Sequence, residues 1–96
     1  MRNIPLVSVV MPTYNVENYV GMAIESILLQ TYRDFEFIIV DDGSTENTPN
    51  IIKSFKDGRI RYIRNEQNFG VIDSFERGIK ASTGKWIARM DSDDIS

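Results

Sequence analysis

Three short polar clusters hold the side chains that could do chemistry in this sequence. Asp91-Ser92-Asp93-Asp94 puts three carboxylates into four residues. Such a run repels itself unless water or a cation sits among the oxygens. Just past a strand, alternate residues share a side, so Asp91 and Asp93 can offer two hard oxygen ligands to one divalent cation. An isolated acidic run is ordinarily a solvated loop or a helix cap; lying level with two other polar clusters turns the reading toward a site. Asp41-Asp42-Gly43-Ser44 is the second cluster. Asp, Gly and Ser build turns and caps, but only one aspartate can cap, and the other is left to accept a hydrogen bond from a ligand. Pro12-Thr13-Tyr14-Asn15 is the third. It offers a rigid turn, a hydroxyl and an aromatic face able to stack on a planar ring. Its plainer reading is a tyrosine at the core edge and a cap at Asn15.

The composition narrows what those clusters can do. The chain has 96 residues with no cysteine and no histidine. That removes the Ser-His-Asp triad, the imidazole base, the thiolate nucleophile, zinc fingers and iron–sulfur clusters. Carboxylates, hydroxyls, amines or a metal with oxygen ligands remain, which points to Mg²⁺, Mn²⁺ or Ca²⁺. The net charge of −3, from 11 basic and 14 acidic residues, argues against an electrostatic nucleic-acid binder. The uncharged stretch from Asn3 to Val16 is broken by Pro5 and Pro12 and does not read as a secretory signal. No apolar run reaches the ~20 residues that span a bilayer.

The elements that must position the clusters alternate. Leu6 to Met11 reads as a strand closed by Pro12. Glu17 to Gln30 carries one helical stripe of Val20, Ala23, Ile24, Ile27 and Leu28. Phe35 to Val40 is a second strand. Pro49 to Phe55 is a short helix with Pro49 in its first turn and Thr48 as its cap. Arg59 to Arg64 has charges around its apolar residues, which suits an edge strand. Val71 to Ser82 is a helix with Val71, Ile72, Phe75 and Ile79 inward, Gly78 as a local cost and Gly84 as a C-terminal stop. Lys85 to Met90 is a fourth strand. Strands separated by helices mean parallel βαβ units, hence a four-stranded α/β sheet with helices on both faces. The three clusters then follow strands one, two and four, at the end where such sheets bind ligands.

Two phosphate motifs are absent. No G-x-G-x-x-G follows the first strand. Gly78 to Lys85 reads GIKASTGK, but five residues separate its glycines and Trp86 stands where a P-loop has Ser or Thr. Phosphate binding therefore falls mainly to a metal. Arg33, Arg59, Arg61, Arg64, Arg77 and Lys80 are scattered and read as surface.

Strand then PTYN, strand then DDGS, Asn68-Phe69-Gly70 opening a helix, and TGKWIARMDSDD together resemble family 2 glycosyltransferases of the A-type (GT-A) fold, from Leu6 to Ser96. The resemblance implies a mostly parallel, Rossmann-like sheet forming the N-terminal half of that fold. It implies a nucleotide-diphosphate sugar donor, commonly a UDP-sugar, and Mn²⁺ or Mg²⁺. Pro12, Thr13 and Tyr14 would border the nucleobase, with Tyr14 stacked on it. Asp42 would accept the base's ring N–H, and Glu17 would line the same pocket. Asp91 would lie near ribose and metal, and Asp93 would bind the metal directly. Many relatives carry Arg-Asn midway along the third helix, where this chain has Phe75-Glu76. The general base belongs to an acceptor-binding half that follows the D-x-D motif, so residues 1–96 are expected to form the nucleotide-sugar-binding part of one transferase domain, with no catalytic base and no turnover alone. A cytoplasmic protein of polysaccharide or cell-envelope synthesis is implied, with contact to the inner membrane face left open. The edge of the fourth strand is expected to pair with another copy. A noncatalytic nucleotide- or metal-binding module of the same fold is the competing reading; a nucleotidyltransferase would want a glycine-rich loop after strand one.

Overall fold

The computed structural model describes residues 5–30 and 33–91. The elements run β1 (Val7–Thr13), α1 (Val20–Leu28), β2 (Phe35–Asp41), α2 (Thr48–Lys53), β3 (Ile60–Arg64), α3 (Val71–Ala81) and β4 (Trp86–Arg89). All strand pairs are parallel, in the order β3-β2-β1-β4. The chain builds outward from β1 to β3, then crosses back to add β4 on the other side of β1. That reversal sets a switch point between β1 and β4, where open α/β sheets form a ligand crevice.

The pleat sorts the core. Val9, Met11, Phe35, Phe37 and Ile39 pack with Ala23, Ile24, Ile27 and Ile52 of α1 and α2. Val10, Ile38 and Val40 point to the opposite face and meet Phe75 and Ala81 of α3. β2 is buried along its whole length, as a central parallel strand covered on both faces must be. The expected helices on both faces and the edge position of β3 are both present.

Several local readings need correction. β1 runs through Pro12 to Thr13. In the β1 ladder even-numbered residues bond toward β4, and the paired register ends at Val10–Arg89, so Pro12, which has no N–H to give, stands where that ladder stops. α1 starts at Val20 after an N-terminal residue, Tyr19, that makes no side-chain cap. Asn15 does not cap it: at φ 49°, its N–H donates to Ser44 Oγ and its Oδ1 accepts from Thr45 N–H, pinning the β1–α1 loop to the β2–α2 loop. Thr48 opens α2 rather than capping it, and its hydroxyl accepts from Val16 N–H and donates to Glu46.

The largest reversal concerns α3. Most of its apolar stripe faces out: Ile72 is 70% exposed, with Val71 and Ile79 exposed as well, while the buried positions are Ser74 and Gly78 and, of the stripe, Phe75 packs inward against the sheet. A Cβ on Gly78 would overlap Val10 Cγ1 and lie 3.2 Å from Val40 Cγ2. The helix reaches the sheet because Gly78 is bare. Gly84 likewise is not a helix stop. The helix ends at Ala81 with Ser82 as its C-cap, and Gly84 passes against β1 so closely that a Cβ would stand 2.7 Å from Ser8 N. This turn is held by Glu36, which accepts from Ser8 Oγ at 2.6 Å, Thr83 N–H at 2.6 Å and Arg61 Nη1 at 2.8 Å. Burial pushes the Glu36 carboxyl up, but these bonds outweigh it and hold it below its ordinary value. β4 is an edge strand, exposed at every position.

Candidate functional site

At the carboxyl end of the sheet a cavity of about 240 Å³ opens. Pro12, Thr13 and Tyr14 line it from the end of β1, Asp42 from just past β2, and Asn68, Gly70 and Val71 from the start of α3. Tyr14 is 44% exposed, leaving much of its surface accessible to solvent, whereas Asp42 is only 3% exposed.

The adjacent aspartates point to opposite faces of the sheet, as successive strand residues do. Asp41 serves the α1–α2 side. Its Oδ2 accepts from Tyr62 Oη at 2.7 Å and Arg64 Nη1 at 2.8 Å, and its Oδ1 from Ser44 N–H at 3.0 Å. Arg64 also donates to the Ser44 carbonyl. Asp41 thus closes the β2–α2 turn and is spent on structure. Burial and the bond to Asp41 push the Tyr62 hydroxyl up to about 12.

Asp42 serves the α3 side and the cavity. Its Oδ1 accepts from Asn65 Nδ2 and Phe69 N–H, and its Oδ2 from Gly70 N–H, all at 2.8 Å. Burial pushes this carboxyl up, but the Phe69, Asn65, Gly70 and Ser74 donors outweigh it and keep it below its ordinary value. An ionised carboxylate can only accept hydrogen bonds, through about four lone-pair directions. Of the three hydrogen bonds at 2.8 Å, Oδ1 takes two and Oδ2 one, so Oδ2 is the less occupied oxygen where Asp42 lines the cavity.

β4 brings up the acidic motif. Met90 N–H donates to the Val10 carbonyl, which continues the β1–β4 register and carries Asp91 to the level of Pro12. Arg89 pairs with Asp91 Oδ1 at 3.2 Å, both side chains about half exposed, so the pair is worth little by itself. The Arg89 guanidinium also lies 5.0 Å from the centre of the Phe75 ring. Asp93 falls outside the described residues. Among the described residues no group of three or more acidic side chains converges as a metal cage. Asp91 alone is the kind of donor, a partly exposed hard oxygen, that Mg²⁺ or Mn²⁺ takes.

Of the residues singled out in the sequence, the structure gathers Pro12, Thr13, Tyr14 and Asp42 around one cavity; Asp91, past the last β1–β4 pair, is not among the residues that line it. Glu17 lies apart. Its Oε1 accepts from Asn47 N–H at 3.0 Å and its own N–H donates to Glu46, so it braces the β2–α2 loop. Three of the supposed surface arginines are tied to buried polar groups: Arg61 to Glu36, Arg64 to Asp41, and Arg77 to Asn65. Asn65, 1% exposed, escaped the sequence reading altogether. It is the polar residue at the carboxyl end of β3, the one strand end left out of the comparison of the other three.

A parallel sheet of this order, with a polar cavity at its carboxyl ends, is shared with the GT-A architecture. The chain belongs to glycosyl transferase family 2, whose family model it matches over residues 8–96. It is 40% identical over 90 residues to the Escherichia coli UDP-Glc:alpha-D-GlcNAc-diphosphoundecaprenol beta-1,3-glucosyltransferase WfgD, a match covering 94% of this chain and 36% of that protein. Its structure resembles Staphylococcus aureus TarS 1-349 in complex with UDP, with a TM-score of 0.87 at 30% identity, over 93% of this chain and 28% of that one. It also resembles glucosyl-3-phosphoglycerate synthase from Mycobacterium tuberculosis in complex with Mn²⁺, UDP and glucosyl-3-phosphoglycerate, with a TM-score of 0.73 at 27% identity, over 92% and 33% of the two chains. The chain spans about a third of the length of such relatives.

Proposed function

We propose that residues 1–96 form the donor-binding part of a glycosyltransferase that takes a UDP-sugar with Mn²⁺ or Mg²⁺ and hands the sugar to an acceptor in polysaccharide or cell-envelope synthesis. The observation that carries this is the cavity in which Thr13, Tyr14 and the Asp42 carboxylate meet. The UDP in the TarS structure supports the choice of nucleotide, the Mn²⁺ and UDP in the mycobacterial synthase support the metal, and the E. coli relative's acceptor supports the pathway. No described helix is long and apolar enough to cross a membrane.

Each residue has a defined task in this reading. Thr13 and Tyr14 border the base, and Tyr14 is its stacking platform. Asp42 Oδ2 accepts the ring N–H of uracil. Cytosine presents an unprotonated nitrogen at that place and would face the carboxylate with two acceptors and no proton. Asp91 and Asp93 are the ligands for the cation. When bound, the cation supplies positive charge where the departing diphosphate gains negative charge. Glu17, tied to Asn47, supports the neighbouring loop. No catalytic residue is assigned within the chain, since the general base belongs to the acceptor-binding half.

Calorimetric titration of UDP tests this, run with Mn²⁺, with EDTA, and on Asp93→Asn. Binding that needs the metal and is lost in Asp93→Asn is the expected result. A folded protein that binds no UDP under any of these conditions would overturn the reading and leave a noncatalytic module of the same fold.

A further inference from the structure

We infer that Asn65 and Arg77 are positioning residues that fix how the Asp42 carboxylate is presented to a nucleobase; this rests on the nucleotide-pocket reading above. Asn65 is fully buried at the end of β3. Both hydrogens of its side-chain amide are used: Nδ2 donates to Asp42 Oδ1 at 2.8 Å and to Ser74 Oγ at 3.0 Å. Its Oδ1 accepts from Arg77 Nη1. Its backbone N–H donates to the Asp41 carbonyl at 2.8 Å, fixing where the side chain starts.

An amide has two possible orientations, and here chemistry selects one. A guanidinium can only donate, and an ionised carboxylate can only accept. With Arg77 on one side and Asp42 on the other, only the orientation with Oδ1 toward Arg77 satisfies both. Reversing it would set carbonyl against carboxylate and N–H against guanidinium. Ser74 cannot make this choice, because a hydroxyl bonds equally well to either end. Arg77, exposed on α3, therefore anchors the oxygen end of a buried amide whose nitrogen end holds the Asp42 carboxylate.

The consequence reaches the cavity through Asp42. With Asn65 and Phe69 N–H on Oδ1, the remaining acceptor capacity falls to Oδ2. Gly70 N–H occupies one direction of Oδ2. The same donors offset the penalty that burial imposes on the charge. Removing Arg77 leaves the buried amide oxygen without its donor and the amide held from the Asp42 and Ser74 side alone, so its place under the carboxylate is less fixed, without altering any residue that lines the cavity.

The test compares UDP with its N3-methyl analogue, which has no ring N–H to donate, on the wild-type protein, Arg77→Met and Arg77→Lys. Methionine keeps the helical stem and removes the donor; lysine restores a donor. Arg77→Met should bind UDP about tenfold more weakly, the worth of one net hydrogen bond to a charged group, while its affinity for the N3-methyl analogue stays at the wild-type value. Arg77→Lys should recover most of the loss. Equal weakening toward both ligands would show a merely structural role and overturn the inference, as would unchanged UDP affinity in Arg77→Met. A wild-type protein that binds both ligands equally would instead refute the base-reading role of Asp42 itself, and with it the inference.

Discussion

Gly78→Ala and Ile72→Ala should behave in the opposite way to what the hydrophobic pattern of α3 implies. By pattern, Ile72 belongs to the core and Gly78 is a weak point that alanine would repair. Helix propensity alone would credit Gly78→Ala with up to about 1 kcal/mol of added stability. In the structure the new methyl would overlap Val10 Cγ1 and press on Val40 Cγ2 at 3.2 Å. Both valines are fully buried and stiff about χ1, so they cannot swing aside. α3 must then lift from the sheet, and overpacking of this kind costs roughly 1–3 kcal/mol. The overlap exceeds what the propensity gain can offset, leaving a net loss on the order of 1–2 kcal/mol. For a domain of this size that lowers Tm by roughly 5–15 °C. Ile72, 70% exposed, should change the stability of the 96-residue chain by less than about 0.5 kcal/mol on truncation. Thermal and urea unfolding followed by circular dichroism would measure both. A Gly78→Ala protein as stable as the parent, or an Ile72→Ala protein that melts well below it, would refute this account of how α3 is seated. Because α3 also carries Ser74 and begins at the loop that Asp42 holds, Gly78→Ala should weaken UDP binding as well.

The remaining predictions concern single groups. Tyr62, pushed up to about 12, stabilises the fold while protonated; that contribution is intact below the ordinary pKa of 10.0 and disappears as pH rises through about 12. One of the four tyrosines should therefore ionise late in an ultraviolet titration, and Tyr62→Phe should remove that late step. Asp57 is held down to about 2, first by its hydrogen bonds from Arg59. Its contribution is complete above the ordinary 3.8 and is lost as pH falls toward about 2; Arg59→Met should flatten that part of the acid-unfolding curve, and an unchanged curve would deny the pair any role. Asp41→Asn should cost about 1–3 kcal/mol of stability, through whichever of the Arg64 and Ser44 donors the single amide oxygen leaves unpaired, and leave the UDP to N3-methyl-UDP preference intact, whereas Asp42→Asn should abolish the preference. Equal loss of preference in both variants would contradict their separation onto two faces.

The sheet was legible because β-branched runs bounded by Pro, Gly and Asp are strong local signals. The alternation of strands with helices fixed parallel pairing, and the charges around Ile60, Tyr62 and Ile63 marked β3 as an edge. The seating of α3 was not legible, for a physical reason. A helix can be buried through small residues as well as large ones, and Ser74 and Gly78 carry no hydrophobic signal. Three of the four stripe residues therefore pointed away from the sheet, and only Phe75 reaches it. The arginines were misread for a related reason. Arg61, Arg64 and Arg77 are spaced like surface charges, yet each reaches across to a buried acceptor from a different strand or loop, and sequence spacing says nothing of such partners. Asn15 shows the same limit: its side chain suits a cap, but here it bridges two loops that are 29 or more residues apart in the chain.

The paired aspartates show why the strand ends mattered more than any single motif. Two carboxylates in adjacent positions would repel each other in a turn. At the end of a central strand the pleat sends them to opposite faces, and each meets its own donors: Tyr62, Arg64 and Ser44 for Asp41, and Asn65, Phe69 and Gly70 for Asp42. One strand terminus thereby closes the turn into α2 and anchors the loop into α3. Those two loops flank the cavity end of the sheet, so the carboxylate available to a ligand is held by a frame the other one completes. On the proposed reading, a chain without histidine or cysteine builds its base pocket in this way. It needs only an acceptor whose charge is kept by fixed donors and whose free direction is set by the residues behind it.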